Sequence, residues 1–270
     1  MSSVNDTLLS LDPGPSDILY RIRRVTPEHR RVLYVRVADL TIIPPDERTY
    51  GPSVIKELSK LGDWHSCWTT LRVFKEAGAI KAEKDSFLPH TVPREYILDK
   101  YPSYDIFDCA TICDFNHRVS KVTVDGRVCV LKIARFPFEL PSLIRELEAY
   151  HCLPKHAPAP QLLGYVFEEE GIDRVVGFLV EFLGGRPAGI TDLDPCLRSL
   201  AELHRHLVHG DLCKYNILIT EEGPKYIDFE RSILCNSDEW STSLQDDERR
   251  TLSDKLVDAS ELGRPYSPGP

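Results

Sequence analysis

One stretch of the sequence, LVHGDLCKYNILITEEGPKYIDFERSIL at residues 207–234, contains a histidine, two aspartates and an asparagine among apolar residues. Asn216 comes five residues after Asp211, and Asp228 comes 12 residues after Asn216. Carboxylates among Leu, Ile and Phe are costly to bury unless a cation or hydrogen bonds compensate their charge. We therefore expect these side chains to form a site that holds a cation.

The same residues suit phosphoryl transfer. Mg²⁺ prefers hard oxygen ligands and keeps several waters, so Asn216 and Asp228 form one candidate pair of metal ligands. Asp211 is then left to orient a hydroxyl group or to accept its proton. The phosphates also need a cation; Lys132 is the candidate, with Glu146 as the ion-pair partner that aims it.

Two elements position Lys132 and Glu146. The segment KVTVDGRVCVLKIA, residues 121–134, consists of two alternating runs joined by Asp125-Gly126, which predicts a β-hairpin with Lys132 on its second strand. The segment ELPSLIRELEAYHCL, residues 139–153, has apolar residues at helical spacing and carries Glu146. A lone lysine in such a strand usually lies at an edge or snorkels to water, and a position that reaches into a cleft is the alternative.

The remaining elements follow in order. QLLGYVFEEE and RVVGFLVEFLGG predict two strands joined at residues 171–173. DPCLRSLAELHRHL predicts a helix with Asp194 as N-cap, Pro195 at the first position, and Cys196, Leu200, Leu203 and Leu207 on its buried face. NILIT and KYIDF predict a second hairpin, and TSLQDDERRTLSDKLVDASEL predicts one last amphipathic helix.

The composition excludes several classes of protein. The chain has 270 residues, 42% of them hydrophobic, and a net charge of −9, so general nucleic-acid or membrane binding is not expected. No apolar run is long enough for a membrane helix, and MSSVNDTLLSLDPGPSD lacks a signal-peptide core. The eight cysteines lack zinc-like spacing and are expected to be reduced thiols. An intracellular location, cytoplasmic or nuclear, is expected.

The first hundred residues give weaker signals. Residues 1–17 are expected to form a flexible tail, and residues 18–104 a mixed region of unknown role. The segment RIRRVTPEHRRVLYVR is interpreted as a solvated strand pair that turns Ile22, Val32, Leu33 and Val35 inward, or as a site for an acidic partner. Residues 18–100 therefore remain a possible surface for a protein partner.

The motifs in their order resemble the protein-kinase-like superfamily. HGDLCKYN is similar to the catalytic loop H-x-D-x-x-x-x-N, IDFE to D-F-G, VLKIA to the strand V-A-I-K, and IRELEAYHC to the helix that carries the conserved Glu. FLVEFLGG resembles the hinge. The resemblance covers roughly residues 108–235. Within the superfamily, the sequence is similar to atypical protein kinases of fungi, and also to aminoglycoside and choline kinase-type phosphotransferases.

The resemblance implies an α+β, bilobal protein-kinase-like fold with a reduced C-terminal helical lobe, preceded by a small mixed α/β N-terminal region. The domain would span residues 105–262, with an N-lobe to about residue 183 and a C-lobe from about 184, and residues 263–270 would form a tail. It implies ATP as cofactor and Mg²⁺ as metal. The resemblance implies that Lys132 and Glu146 lie at the phosphates, with Glu148 as the rival to Glu146, and that Glu181 and Leu183 lie beside the adenine. It implies that Asp211 is the catalytic base and that Asn216 and Asp228 are metal ligands. His209 is expected to be a structural loop residue.

The chain also departs from the family pattern. No G-x-G-x-x-G precedes Lys132, Glu230 replaces the Gly of D-F-G, Gly210 replaces the Arg of H-R-D, and no A-P-E follows. Cys213 stands where Ser/Thr kinases usually have Lys. Three functions therefore stay open: transfer of the γ-phosphate of ATP to a hydroxyl, with protein Ser/Thr preferred; transfer to a small molecule; and a pseudokinase that acts as a binding scaffold.

Overall fold

The computed structural model describes residues 5–168, 174–261 and 263–265. The chain forms two compact units. Unit 1 comprises Met1–Thr91, Arg135–Pro137 and Glu168–Arg174, and unit 2 comprises Val92–Ala134, Phe138–Phe167 and Val175–Pro270. The boundary between the units falls after residue 91, earlier than the predicted residue 104, because both ends of the segment 92–104 bond to strands of unit 2. The backbone N–H of Val92, for example, donates to the carbonyl oxygen of Val175 at 2.7 Å.

Unit 1 is a five-stranded sheet with one helix. Its strands lie in chain order, and only the third and fourth are parallel. Helix α1 buries Val54 and Leu58 against the sheet core. The elements are β1 (Asn5–Pro13), β2 (Ile18–Val25), β3 (Arg30–Val37), α1 (Gly51–Leu58), β4 (Thr70–Glu76) and β5 (Ala79–Lys84).

Strand β1 corrects the expected flexible tail. Asn5–Pro13 pair with β2 from Asn5↔Val25 to Pro13↔Ile18, with one irregularity in the register. Asp6 accepts two hydrogen bonds from Arg24, at 2.8 and 2.9 Å, and one from the indole N–H of Trp64 at 2.8 Å. A polar and acidic segment becomes a strand here because its carboxylate pairs with an arginine on the neighbouring strand.

The arginine-rich segment is less solvated than its composition suggested. As expected, Ile22, Val32, Leu33 and Val35 are buried. Arg24, however, is also buried, and its guanidinium lies about 5 Å from the ring centroids of two buried tryptophans. Buried arginines are tolerated when hydrogen bonds and aromatic faces compensate their charge.

A second buried arginine, Arg21, belongs to an ion-pair network in unit 1. Its Nε donates to Glu168 at 2.8 Å, and Arg174 Nη1 donates to the other carboxylate oxygen, also at 2.8 Å. The hydroxyl of Tyr34 donates to the same oxygen at 2.7 Å. Burial disfavours the carboxylate, but the two arginines outweigh it and lower the pKa of Glu168 to about 2.

Unit 2 begins with a six-stranded sheet in the order β6-β10-β11-β9-β8-β7. The predicted hairpin is confirmed, because β8 and β9 pair from Val119↔Lys132 to Val124↔Arg127. Asp125 and Gly126 form its turn with φ of 48° and 75°, as a type I′ turn requires. The elements are β6 (Ser103–Asp105), β7 (Ala110–Asp114), β8 (Val119–Val124), β9 (Arg127–Ile133), α2 (Leu140–Cys152), β10 (Leu162–Phe167) and β11 (Val175–Glu181). The predicted junction at residues 171–173 lies outside the described residues.

The later part of unit 2 contains two helices and short strand pairs. The predicted second hairpin is confirmed, but its second strand begins earlier than KYIDF and ends at Tyr226, before Asp228. The predicted last helix is confirmed as α4 and ends at Val257, earlier than predicted. The elements are β12 (Arg186–Pro187), α3 (Leu193–Leu203), β13 (Leu207–Val208), β14 (Ile217–Thr220), β15 (Gly223–Tyr226), β16 (Ile233–Leu234) and α4 (Thr242–Val257).

Helix α3 begins and ends earlier than predicted. Its N-cap is Asp192, not Asp194, because a single 3₁₀ turn leads into it, and Leu207 lies beyond its end. The Asp192 carboxylate accepts hydrogen bonds from Arg186 and from the Gly189 amide. Cys196, Leu200 and Leu203 are buried as predicted.

Two pairings frame the stretch that opened the sequence analysis. Leu207 pairs with Leu234 and Val208 with Ile233, so β13 and β16 hold its two ends together. Inside this frame, β14 and β15 form the hairpin that leads to Asp228. Among the described residues no helix has the length and apolar character needed to cross a membrane. All eight cysteines are described and none forms a disulfide.

Candidate active site

A buried ion pair joins strand β9 to helix α2. Lys132 Nζ lies 2.7 Å from each carboxylate oxygen of Glu146, and both residues are buried. Burial disfavours the ammonium, but the carboxylates of Glu146 and Asp228 outweigh it and raise the pKa of Lys132. The structure therefore pairs Lys132 with Glu146 and not with the rival Glu148, because Glu146 lies on the inward face of α2.

A backbone donor also holds the Glu146 carboxylate in place. The N–H of Phe229 donates to it at 3.3 Å. The side chain of Phe229 is buried and packs edge-on against Tyr150, with ring centroids 5.4 Å apart. Glu146 thus ties helix α2 to the segment that follows Asp228.

Asp228 follows strand β15 and reaches Lys132. Its Oδ1 lies 3.0 Å from Lys132 Nζ, while 41% of its side chain remains exposed. Its φ is +69°, a left-handed conformation that Asp tolerates better than most residues. Burial opposes its ionisation, but Lys132, helped by His209 and Arg118, lowers its pKa. Asp228 is an ionised carboxylate with one oxygen directed at a lysine and room for a second partner.

The loop from His209 to Asn216 lies beside the Asp228 segment. The Asn216 carbonyl oxygen accepts the N–H of Ile227 at 3.0 Å, which continues the β14–β15 ladder to the residue before Asp228. The Asn216 side-chain amide donates to the Asp211 carbonyl oxygen at 2.9 Å. This hydrogen bond fixes the orientation of the amide and leaves its oxygen as a possible metal ligand.

His209 is the structural residue that the sequence led us to expect. Its Nε2 lies 2.9 Å from the carbonyl oxygen of Ile227, and its Nδ1 accepts the backbone N–H of Asp211 at 3.3 Å. These partners assign a neutral ring with its proton on Nε2. Burial lowers the pKa of His209, which agrees with that form. One ring therefore joins the loop to the segment before Asp228.

Gly210 is a glycine for a steric reason. Its φ is +78°, and a Cβ at this position would lie 2.1 Å from the Arg231 carbonyl oxygen. Neither the conformation nor the space accommodates the Arg of H-R-D. The charge beside Asp211 comes instead from the exposed side chain of Arg231, whose Nε lies 4.0 Å from Asp211 Oδ2. The Asp211 side chain is itself more than half exposed.

Sequence reasoning missed Glu248, which supports the loop from helix α4. One of its carboxylate oxygens accepts the N–H of Gly210 at 2.6 Å. The other accepts the N–H of His209 at 3.2 Å and lies 2.8 Å from Nε2 of the buried His204. Burial opposes ionisation, but the His204 hydrogen bond and the two backbone bonds outweigh it and lower the pKa of Glu248.

The expected hinge residues lie in and after strand β11. Glu181 ends the strand, faces Cys129 across the β9–β11 pairing, and donates its N–H to Gln161 at 2.9 Å. Leu183 follows outside any helix or strand. Both are in the same unit as Lys132, and their contact with adenine stays a prediction. Lys214, next to Cys213, donates to the Asp258 carbonyl oxygen at 2.6 Å.

Two residues outside the predicted set also lie at the site. Arg118 Nη2 lies 2.6 Å from both carboxylate oxygens of Glu230, the residue that replaces the Gly of D-F-G. One oxygen each from Glu146, Asp228 and Glu230 lies within 4.8 Å of the others. No sequence pattern had connected Arg118 with Glu230, because 112 positions separate them.

A comparison with family models supports the expected fold. Residues 193–252 match the model of the RIO domain, which belongs to the atypical protein-kinase-like superfamily. The match runs from α3 into α4 and contains His209, Asp211, Asn216, Asp228 and Glu248. Lys132 and Glu146 lie outside it, but the structure brings them to Asp228. The match is consistent with the expected protein-kinase-like superfamily, and the mixed α+β architecture agrees with the fold expected for it.

Proposed function

We propose that the protein is an ATP- and Mg²⁺-dependent phosphotransferase that transfers the γ-phosphate of ATP to a hydroxyl group, with protein Ser/Thr as acceptor. The observation that carries this proposal is the buried chain of ion pairs from Glu146 through Lys132 to Asp228. A buried lysine with one committed carboxylate and one half-exposed carboxylate suits a site where phosphate and metal meet. The RIO-domain match supports the same class of reaction.

The residues fit a magnesium ion. Asp228 is ionised and partly exposed, and the Asn216 amide is oriented by its bond to the Asp211 carbonyl oxygen. Both offer the hard oxygen ligands that Mg²⁺ prefers. When bound, the metal supplies positive charge that neutralises the phosphates.

The other residues have separate roles in this proposal. Lys132 binds phosphate oxygens, and Glu146 holds its ammonium in place. Asp211 orients the acceptor hydroxyl and accepts its proton, which its exposed carboxylate permits. Glu181 and Leu183 lie beside the adenine. His209 and Glu248 position the loop without touching substrate.

A second candidate function is nucleotide binding without transfer. The observation that favours it is Glu230, whose carboxylate adds negative charge beside Asp228 and pairs with Arg118. A pseudokinase with this site would still bind nucleotide, and the Asp211 variant below separates the two functions. Residues 18–100 stay a candidate surface for a protein partner.

A thermal-shift titration tests the proposal. ATP with Mg²⁺ at about 100 times its dissociation constant should stabilise the protein by about 2.7 kcal/mol, which raises the melting temperature by several degrees. Asp228→Ala should abolish the Mg²⁺-dependent part of this shift. Asp238→Ala, at an exposed aspartate that is not among the proposed site residues, is the matched control and should keep it.

Turnover is measured separately. Asp211→Ala should keep the thermal shift but lose about 10²- to 10⁴-fold in phosphate transfer, the usual contribution of a general base. Full activity in Asp211→Ala would contradict its role. A shift with no measurable transfer by the wild-type protein to peptides or small alcohols would favour the pseudokinase. Absence of a shift in the wild-type protein would contradict both functions.

A further inference from the structure

The turn between β7 and β8 occupies the place of the family's glycine-rich loop. The side-chain oxygen of Asn116 accepts the backbone N–H of Arg118 at 2.8 Å and that of Val119 at 2.9 Å. The N–H of Phe115 is also engaged, by the Val119 carbonyl oxygen at 2.8 Å. A glycine-rich loop binds phosphate through its backbone N–H groups. In this turn those groups are already used, so the backbone cannot form the usual cradle.

The side chain of Arg118 supplies a cation at the same place. The backbone carbonyl oxygen of Arg118 accepts the N–H of Ile133 at 3.0 Å, and Val119 pairs with Lys132. The backbone of Arg118 is therefore fixed beside the end of β9. Its guanidinium binds both oxygens of Glu230 at 2.6 Å. The two side chains are 23% and 19% exposed, which leaves them accessible to a ligand.

The charges around Asp228 are suited to an exchange of partners. Lys132 is paired with the fully buried Glu146, whereas the partner of Arg118 is the partly exposed Glu230. The Arg118 Nη2 contacts both oxygens of Glu230, and a guanidinium donates to phosphate oxygens through the same N–H groups. Glu230 can therefore be replaced on Arg118 by a phosphate group without rearrangement of the strand.

We propose that Arg118 binds the phosphate chain of the nucleotide in place of the glycine-rich backbone, and that Glu230 occupies Arg118 until the nucleotide arrives. This inference rests on the proposed nucleotide site. The proposal accounts for two departures from the family pattern together. The turn without glycines supplies Arg118, and IDFE supplies its partner Glu230. The ligand class is a nucleoside di- or triphosphate, and Arg118 is a specificity-determining residue for the phosphates.

Calorimetric titrations with ATP and with adenosine, both in Mg²⁺, test this proposal on the full chain. Arg118→Met should weaken ATP binding about 10- to 100-fold, as expected for loss of a charged hydrogen bond, and leave adenosine binding unchanged. Arg118→Lys keeps the charge but loses the planar guanidinium, so its ATP affinity should lie between those of Arg118→Met and the wild type. Arg127→Met, at an exposed arginine that begins β9, is the matched control and should bind both ligands as the wild type does.

Glu230→Gln provides the opposite test. It keeps the size of the side chain but weakens its hold on Arg118, so ATP affinity should rise several-fold while adenosine affinity stays constant. Equal ATP affinity in Arg118→Met and the wild type would overturn the proposal and leave the proposed function intact. Equal losses for ATP and adenosine would also overturn it, because they indicate a structural ion pair. Failure of the wild type to bind either ligand would overturn both.

Discussion

Removal of the Glu248 carboxylate should destabilise unit 2 more than any comparable change on helix α4. Glu248 is only 12% exposed and serves three donors: two backbone N–H groups of the loop and the ring of His204. Loss of one partner of a buried charged interaction typically costs about 3–5 kcal/mol, because the remaining groups stay buried without partners. We expect Glu248→Ala to cost about this amount.

Glu248→Gln should cost less, about 1–3 kcal/mol. The amide oxygen can still accept the Gly210 N–H, and the amide nitrogen can donate to His204 if that ring changes tautomer. The N–H of His209 then loses its acceptor. Glu248→Ala should therefore cost most, Glu248→Gln less and Asp247→Ala least. Asp247→Ala is the matched control, because Asp247 and its partner Arg250 are both exposed and exposed ion pairs contribute little to stability.

The assay is urea unfolding of the full chain, followed by circular dichroism, with hydrogen exchange of the Gly210 amide as a local readout. The lowered pKa of Glu248 predicts a pH dependence: its contribution is complete above the ordinary carboxyl pKa and declines as the pH falls below it. The difference between the wild type and Glu248→Ala should therefore shrink in acid. A cost for Glu248→Ala within about 0.5 kcal/mol of the control would refute this account of the loop.

Two further predictions concern other buried groups. The pKa of Glu168 is lowered from 4.5 to about 2, which corresponds to about 3 kcal/mol of stability from its ion pairs. This contribution is complete above pH 4.5 and declines as the pH falls toward 2. Glu168→Gln should therefore destabilise unit 1 far more at pH 7 than at pH 3, as measured by the midpoints of urea unfolding. Gly210→Ala should cost at least about 2 kcal/mol, because the left-handed backbone and the Arg231 carbonyl oxygen both oppose a Cβ, whereas Gly184→Ala, with no atom within 4 Å, should be nearly neutral in the same assay.

Each of these two predictions can be contradicted by its own assay. An equal penalty for Glu168→Gln at both pH values would mean that the carboxylate's charge does not stabilise the network. Equal stability of the two alanine variants would mean that the loop can shift away from Arg231 at little cost.

The parts of the site that local patterns specify could be predicted from the sequence. Asp125-Gly126 demands positive φ, so it marked the hairpin that carries Lys132. The apolar spacing of α2 placed Glu146 on an inward face, and the two met as expected. Such predictions succeed because a turn and a helical face are each determined by residues close together in the chain.

The parts that failed depend on distant partners. Strand β1 was interpreted as a tail because its own residues are polar, and the partners of Asp6, which are Arg24 on the neighbouring strand and Trp64, are distant in the sequence. The role of Glu248 could not be predicted, because the segment QDDERR is typical of a solvated helix face. Glu248 reaches the loop only because α4 packs beneath it. The partnership of Arg118 with Glu230 has the same origin, because it joins two turns that are far apart in sequence.

The short pairing between β13 and β16 also bears on the order in which the site assembles. It closes a loop that contains Asp211, Asn216 and Asp228, with the β14–β15 hairpin inside it. Closing a short loop costs little chain entropy, and segments rich in local contacts fold fast. We expect this loop to form as one cooperative unit whose amide hydrogens exchange together. Lys132 and Glu146 come from earlier elements, so folding would build the metal and acceptor side of the site before the phosphate side.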